Sequence, residues 1–243
     1  MFDDTLVEED IQPKYSSAGL TDTGRVRPTN QDAYLARDGA CLWVVADGMG
    51  GHRDGDVASR MVCEALQGFE PSAKLEGSID TLRRRTGEVN ARLYAAAVRA
   101  INPIQSGTTV VMMVAHGTSC AILWAGDSRA YRLRDHTLVQ LTTDHTWAAE
   151  LQLADALAEE ADHAITRAVG GEATLQLDTR RDRVRLGDRY LLCSDGLTRE
   201  LSSARIAQIL GAGSVDEAAK ALIDATLAQG AHDNVTVIVV DAA

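Results

Sequence analysis

The stretch Leu42-Trp43-Val44-Val45-Ala46-Asp47-Gly48 decides how this chain is built. Its apolar residues follow one another without a polar alternate, which reads as a strand buried on both faces, and the run stops at a carboxylate and a glycine. The pattern recurs. Ala121-Ile122-Leu123-Trp124-Ala125-Gly126 leads into Asp127, Tyr190-Leu191-Leu192-Cys193-Ser194 leads into Asp195, and Asp233-Asn234 opens the run from Val235 to Val240. Strands with no polar face must be covered on both sides. The expected fold is therefore α+β, a four-layer α-β-β-α sandwich of two antiparallel sheets flanked by helices.

Working outward, strands are expected at residues 15–20, 33–36 and 41–46, followed by helices at 57–69 and 79–101, where apolar residues recur at three and four. Four short runs, 108–115, 119–124, 130–133 and 138–141, have the spacing of an antiparallel meander. A helix at 147–157, strands at 184–186 and 190–193, helices at 204–210 and 215–228 and a strand at 235–240 complete the pattern. Ser214 and Glu217 form the sequence signature of a capping box.

The composition narrows the function classes. The chain has 243 residues with 24 basic and 35 acidic side chains, a net charge of −11, and 45% hydrophobic residues. That is a folded chain, and its acidity argues against nucleic acid as the main partner while suiting cations. No apolar run approaches the roughly 18 residues of a membrane helix, and the N-terminus is acidic where a secretion signal is basic. Cys41, Cys63, Cys120 and Cys193 lie in apolar runs without zinc-knuckle or redox spacing. The expectation is a cytoplasmic protein with a mobile acidic tail at 1–13, which has five carboxylates, and one domain at 14–243.

Taken singly, Asp-Gly and Asp-Asn are ordinary turn formers. Four aspartates at strand ends, followed by Gly48, Ser128, Gly196 and Asn234, form a different pattern: if the ends converge, the carboxylates repel and need protons or bound cations. An all-carboxylate set with no clustered His or Cys selects hard ions, Mg²⁺ or Mn²⁺, over zinc.

Seven segments occur in order: Thr21-Asp22-Thr23-Gly24-Arg25-Val26-Arg27-Pro28-Thr29-Asn30-Gln31-Asp32, Val45-Ala46-Asp47-Gly48-Met49-Gly50-Gly51-His52, Ser106-Gly107-Thr108-Thr109, Ala125-Gly126-Asp127-Ser128-Arg129, Leu141-Thr142-Thr143-Asp144-His145, Ser194-Asp195-Gly196-Leu197 and His232-Asp233-Asn234-Val235-Thr236. The chain from Lys14 onward closely resembles the bacterial branch of the metal-dependent protein phosphatases, the protein phosphatase 2C type.

The resemblance implies hydrolysis of phosphoserine and phosphothreonine in proteins by a water shared between two Mn²⁺ or Mg²⁺ ions, without a phosphoenzyme. It makes Asp47 the bridging carboxylate, with the Gly48 carbonyl as a further ligand. Asp195 and Asp233 complete the first metal, Asp127 with Asp195 holds a third, weaker one, and Asp32 is a ligand directly or through water. Arg27 grips the phosphate as a two-pronged donor. His52 is a candidate acid for the leaving alkoxide, though a structural role for this loop histidine is equally open. Gln31 stands where many relatives carry Glu, which leaves the second metal with less charge. Residues 146–162 take the place of the family's flap, here alanine-rich and without its usual glycine. Implied partners are phosphoproteins and a Hanks-type Ser/Thr kinase, with some relatives beside type VI secretion components; a monomer is expected.

Two decoys weaken on inspection. Gly48-Met49-Gly50-Gly51 mimics a dinucleotide loop but has Arg53 where the last glycine belongs. Cys193 to Arg199 fits the C-x₅-R spacing of thiolate phosphatases, with Asp195 lying inside the would-be phosphate cradle. A non-catalytic phosphopeptide binder is the remaining alternative, and the retention of Asp47, Asp195 and Asp233 argues against it.

Overall fold

The computed structural model describes residues 12–50, 55–99, 106–151 and 164–243. In chain order they form β1 (Tyr15–Asp22), β2 (Asp32–Arg37), β3 (Leu42–Met49), α1 (Gly55–Gln67) and α2 (Leu75–Arg99). Then come β4 (Gly107–Thr108), β5 (Val110–His116), β6 (Ser119–Ala125), β7 (Arg129–Arg134), β8 (Thr137–Gln140) and α3 (Trp147–Glu150). The last third holds β9 (Asp178–Arg183), β10 (Arg189–Cys193), α4 (Asp195–Thr198), α5 (Ser203–Leu210), α6 (Val215–Gln229) and β11 (Val235–Ala242). One sheet has the order β1-β11-β10-β7-β8, the other β2-β3-β5-β6-β9 with β4 paired to β3, and the pairings are antiparallel.

Period-two alternation in the apolar strands explains the layers. Leu42, Val44 and Ala46 of β3, with Val110, Met112, Leu123 and Ala125, pack on Ala58, Val62 and Leu66 of α1 and on Ile79, Leu82 and Val89 of α2. The intervening Trp43, Val45, Val111, Met113, Ile122 and Trp124 turn the other way and meet Tyr190, Leu192, Ile238 and Val240 between the sheets. A third core joins Leu191, Cys193, Val237 and Val239 to Ile206, Leu210, Leu222 and Ile223 of α5 and α6. Three stacked cores make the four-layer α-β-β-α order.

The four runs read as one meander belong to two sheets: β5–β6 is a hairpin in one, β7–β8 a hairpin in the other, and the chain crosses between them at Gly126-Asp127-Ser128. The strand expected at 184–186 lies instead at β9, whose Asp-Thr-Arg-Arg-Asp-Arg sequence has no apolar signal because it is a charged sheet edge. Leu186 is exposed beside the Gly187 turn. Both long helices begin earlier than expected, and α3 is described only to Glu150. The Ser214–Glu217 capping box is present in both directions. Most of the tail expectation, and residues 152–162 of the flap segment, lie outside the described residues. No helix among the described residues is long and apolar enough to cross a membrane.

Candidate active site

Asp32 and Asp47 are Cα partners across the β2–β3 ladder. Two like charges directly opposite destabilise an antiparallel pair, so this placement needs compensation. Part of it comes from the other sheet. Asp32 Oδ2 accepts from Ser194 Oγ at 2.8 Å and from Thr236 Oγ1 at 2.7 Å. Behind Thr236, Thr21 Oγ1 lies at 2.7 Å and takes a hydrogen bond from Asn30 Nδ2 at 2.8 Å. Asp32 Oδ1, by contrast, is buried with no hydrogen-bond partner.

Asp47 is held through its backbone. Thr108 Oγ1 and Thr109 N both donate to its carbonyl, at 2.9 and 2.8 Å, and Asp47 N donates to Thr109 Oγ1 at 3.2 Å. Thr109 Oγ1 also lies 2.7 Å from Ser128 Oγ, so the Gly107-Thr108-Thr109 segment sets the spacing between Asp47 and Asp127. The turn before Asp127 is clamped by buried His145, which accepts from Gly126 N at 3.2 Å through Nδ1; its Nε2 therefore carries the proton toward Asp178, 3.2 Å away. Gly48 N donates to the Gln31 carbonyl, and a Cβ on Gly48 would lie 2.1 Å from the Gly55 carbonyl oxygen, so only glycine fits between the loop and α1.

Asp195 begins α4 directly after β10, and Asp233 stands at the entry to β11. The two approach because Gly196 lies against Asn234, whose carbonyl oxygen would be 2.0 Å from any Cβ there. Asn234 ties the neighbouring loop down with every polar atom of its side chain: Oδ1 accepts from Gln31 N at 2.8 Å, and Nδ2 donates to the Thr23 and Thr29 carbonyls at 2.8 and 3.0 Å.

Convergence shows in the electrostatics. Burial, then the charges of Asp32, Asp195, Asp127 and Asp233, holds the Asp47 carboxyl well above the carboxylate range. Burial also pushes Asp127 up to about 7, with Asp195 the next cause, and Asp32 to about 6 against the opposing hydrogen bonds of Thr236 and Ser194. Asp195 is raised by burial, with the Arg199 charge opposing. Asp127 Oδ1, like Asp32 Oδ1, is buried and partnerless.

Two guanidiniums stand over the cluster. Arg27 Nη2 is 2.7 Å from Asp233 Oδ2, while Arg199 reaches Asp195 Oδ2 at 2.5 Å and Asp233 Oδ2 at 3.7 Å. Among the described residues no three His, Cys, Asp or Glu side chains are already closed into a metal cage. The donor set nevertheless fits hard divalent ions: all-oxygen ligands, mutually repelling, with two buried oxygens lacking a partner.

The structure thus brings together Arg27, Asp32, Asp47, Gly48, Asp127, Asp195 and Asp233. His52 lies outside the described residues. Cys193 is fully buried in β10, with its thiol pushed up to about 12 by burial, which removes the thiolate the rival mechanism requires. Sequence reasoning placed Arg199 only in that decoy; its four-residue spacing from Asp195 was the available signal. The hydroxyl relay through Ser194, Thr236 and Thr21 carried no signal, since it joins strands distant in sequence.

Comparison with known proteins agrees with this geometry. Residues 25–231 match the family described as Protein phosphatase 2C. The serine/threonine protein phosphatase PstP of Mycobacterium tuberculosis is 38% identical over 234 residues, 92% of this chain, which spans only 44% of that longer protein. The serine/threonine phosphatase stp of Listeria monocytogenes is 36% identical over 237 residues, covering 91% of this chain and 93% of its own. Among solved structures, PppA, a regulatory component of the type VI secretion system in Pseudomonas aeruginosa, superposes with a TM-score of 0.88 at 36% identity, over 96% of this chain and 99% of that one. The PstP catalytic domain in complex with two manganese ions gives 0.83 at 37%, over 94% and 98%. With a fold, an ordered set of carboxylates and full-length likeness in accord, the chain belongs to the protein phosphatase 2C family.

Proposed function

We propose that this protein hydrolyses phosphoserine and phosphothreonine in proteins, with Mn²⁺ or Mg²⁺ held by Asp32, Asp47, Asp127, Asp195, Asp233 and the Gly48 carbonyl. The supporting observation is the convergence of repelling carboxylates, two of them with partnerless buried oxygens, beside the exposed fork of Arg27. Divalent ions there supply a water of lowered pKa and offset charge on the phosphoryl oxygens.

The chain's own residues do the rest. Arg27, half-exposed on the loop that Asn234 pins, presents parallel N–H donors to a phosphate once its pairing with Asp233 gives way. The main chain of Asp47 is fixed by the Thr108 hydroxyl and by the backbone N–H and hydroxyl of Thr109, which sets where its carboxylate starts from. Asp32 is aimed by Ser194 and Thr236, which use one oxygen and leave the other to a ligand. We place residues 14–243 as a single catalytic domain acting as a monomer, opposed to a Hanks-type kinase in signalling, and in the cytoplasm, where four unpaired cysteines stay reduced.

Asp47→Asn tests this reading. It should lower Mn²⁺-dependent hydrolysis of a phosphothreonine peptide by orders of magnitude while raising the melting temperature of the metal-free protein, because repulsion is relieved. Retained activity in this variant would contradict it.

A further inference from the structure

The cation over the acidic cluster that no family motif supplies is Arg199, and its placement is built rather than incidental. Its N–H closes the turn of α4 on the Asp195 carbonyl at 2.9 Å, which puts its side chain one helical turn along from that of Asp195. The next residue, Glu200, accepts from His232 N at 3.1 Å and pairs with His232 Nδ1 at 2.7 Å. That contact registers the end of α4 against the residue before Asp233, so one guanidinium spans Asp195 and Asp233.

The oxygens it takes matter. Asp233 Oδ1 accepts from Asn234 N at 2.9 Å, leaving Oδ2 for any other ligand, and Oδ2 is the atom that Arg27 and Arg199 approach. Asp195 Oδ2 is held by Arg199 at 2.5 Å. A divalent ion drawing on the Oδ2 atoms of these two carboxylates competes with the guanidinium for them. We propose that Arg199 is a built-in counter-ion of the metal site: it bridges Asp195 and Asp233 in the metal-free protein, must leave them before an ion is held, and thereby sets metal affinity. The inference rests on the metal reading of the cluster and extends it to a residue that neither coordinates metal nor needs to touch substrate.

Calorimetric titration of Mn²⁺ into the metal-free full chain, at low ionic strength, decides it. Arg199→Gln should bind Mn²⁺ about two- to fivefold tighter, the value of one ion pair at a partly exposed site. Arg199→Lys keeps the charge but loses the fork, and should fall between the two. Metal-free Arg199→Gln should melt below the wild type, with the difference vanishing in saturating Mn²⁺. Unchanged or weaker Mn²⁺ binding by Arg199→Gln would overturn the proposal. So would Arg199→Lys matching the wild type, which would reduce the effect to charge at a distance. Failure of the wild type to bind Mn²⁺ would instead overturn the metal reading on which the proposal stands.

Discussion

Asp32 and Asp47 face each other in register across β2 and β3, one carboxylate per strand, with hydroxyls from the opposite sheet anchoring only Asp32. A like-charged cross-strand pair costs stability. On the proposed reading, a bound cation offsets that cost, and the metal-free protein carries it.

The first prediction concerns pH. Asp32 and Asp127 titrate near 6 and 7 in the folded metal-free protein, above the roughly 3.9 of an unfolded aspartate. A carboxyl raised on folding contributes stability that is fully present below the unfolded value and lost as pH rises through the folded one. Metal-free stability from these groups should therefore fall from about pH 4 to 7, while apparent Mn²⁺ affinity rises over the upper part of that window because binding releases their protons. Calorimetry in buffers of different ionisation enthalpy measures the release. A pH-independent affinity with no proton released would contradict the assignment.

Arg27→Ala should lower kcat/KM for a phosphopeptide by about tenfold or more, the loss of one charge-assisted phosphate contact. Mn²⁺ stoichiometry should be unchanged. Wild-type steady-state kinetics in this variant would remove Arg27 from the phosphate site.

Asp127→Ala should lose activity with two Mn²⁺ ions per chain still bound, since Asp127 sits in the crossover between sheets rather than on the β2–β3 pair. Titration that finds no metal bound at all would place Asp127 in the bridged pair.

Asn234→Ala removes three hydrogen bonds that hold the segment from Thr23 to Gln31. It should cost about 1–3 kcal/mol of stability. Because that segment carries Arg27, KM should rise more than kcat falls. A variant with an unchanged melting temperature and KM would show that the loop is fixed by other contacts.

What was legible in the sequence was whatever left a local pattern. Uninterrupted apolar runs such as 42–46 announced two-sided burial, and the recurring Asp after each run marked the site end of the sheets. The edge strand β9 was not legible, because its alternation is of charges and its pairing partner β6 lies more than fifty residues earlier. The split of the apparent meander between two sheets was hidden for a related reason: Gly126-Asp127-Ser128 reads as a tight hairpin turn, and only the packing of Trp124 against the opposite sheet shows it to be a crossing. The spacing of Arg199 from Asp195 was legible, but its reach to Asp233 was not, because β11 brings that residue to it.

Phosphate release from a phosphothreonine peptide by wild type, Asp195→Asn and Cys193→Ser, with and without EDTA, tests the central claim most directly. The wild type should be silenced by EDTA and restored by Mn²⁺, Asp195→Asn should lose about a hundredfold or more, and Cys193→Ser should keep most of its activity. An EDTA-resistant wild type together with a folded, inactive Cys193→Ser protein would contradict the account.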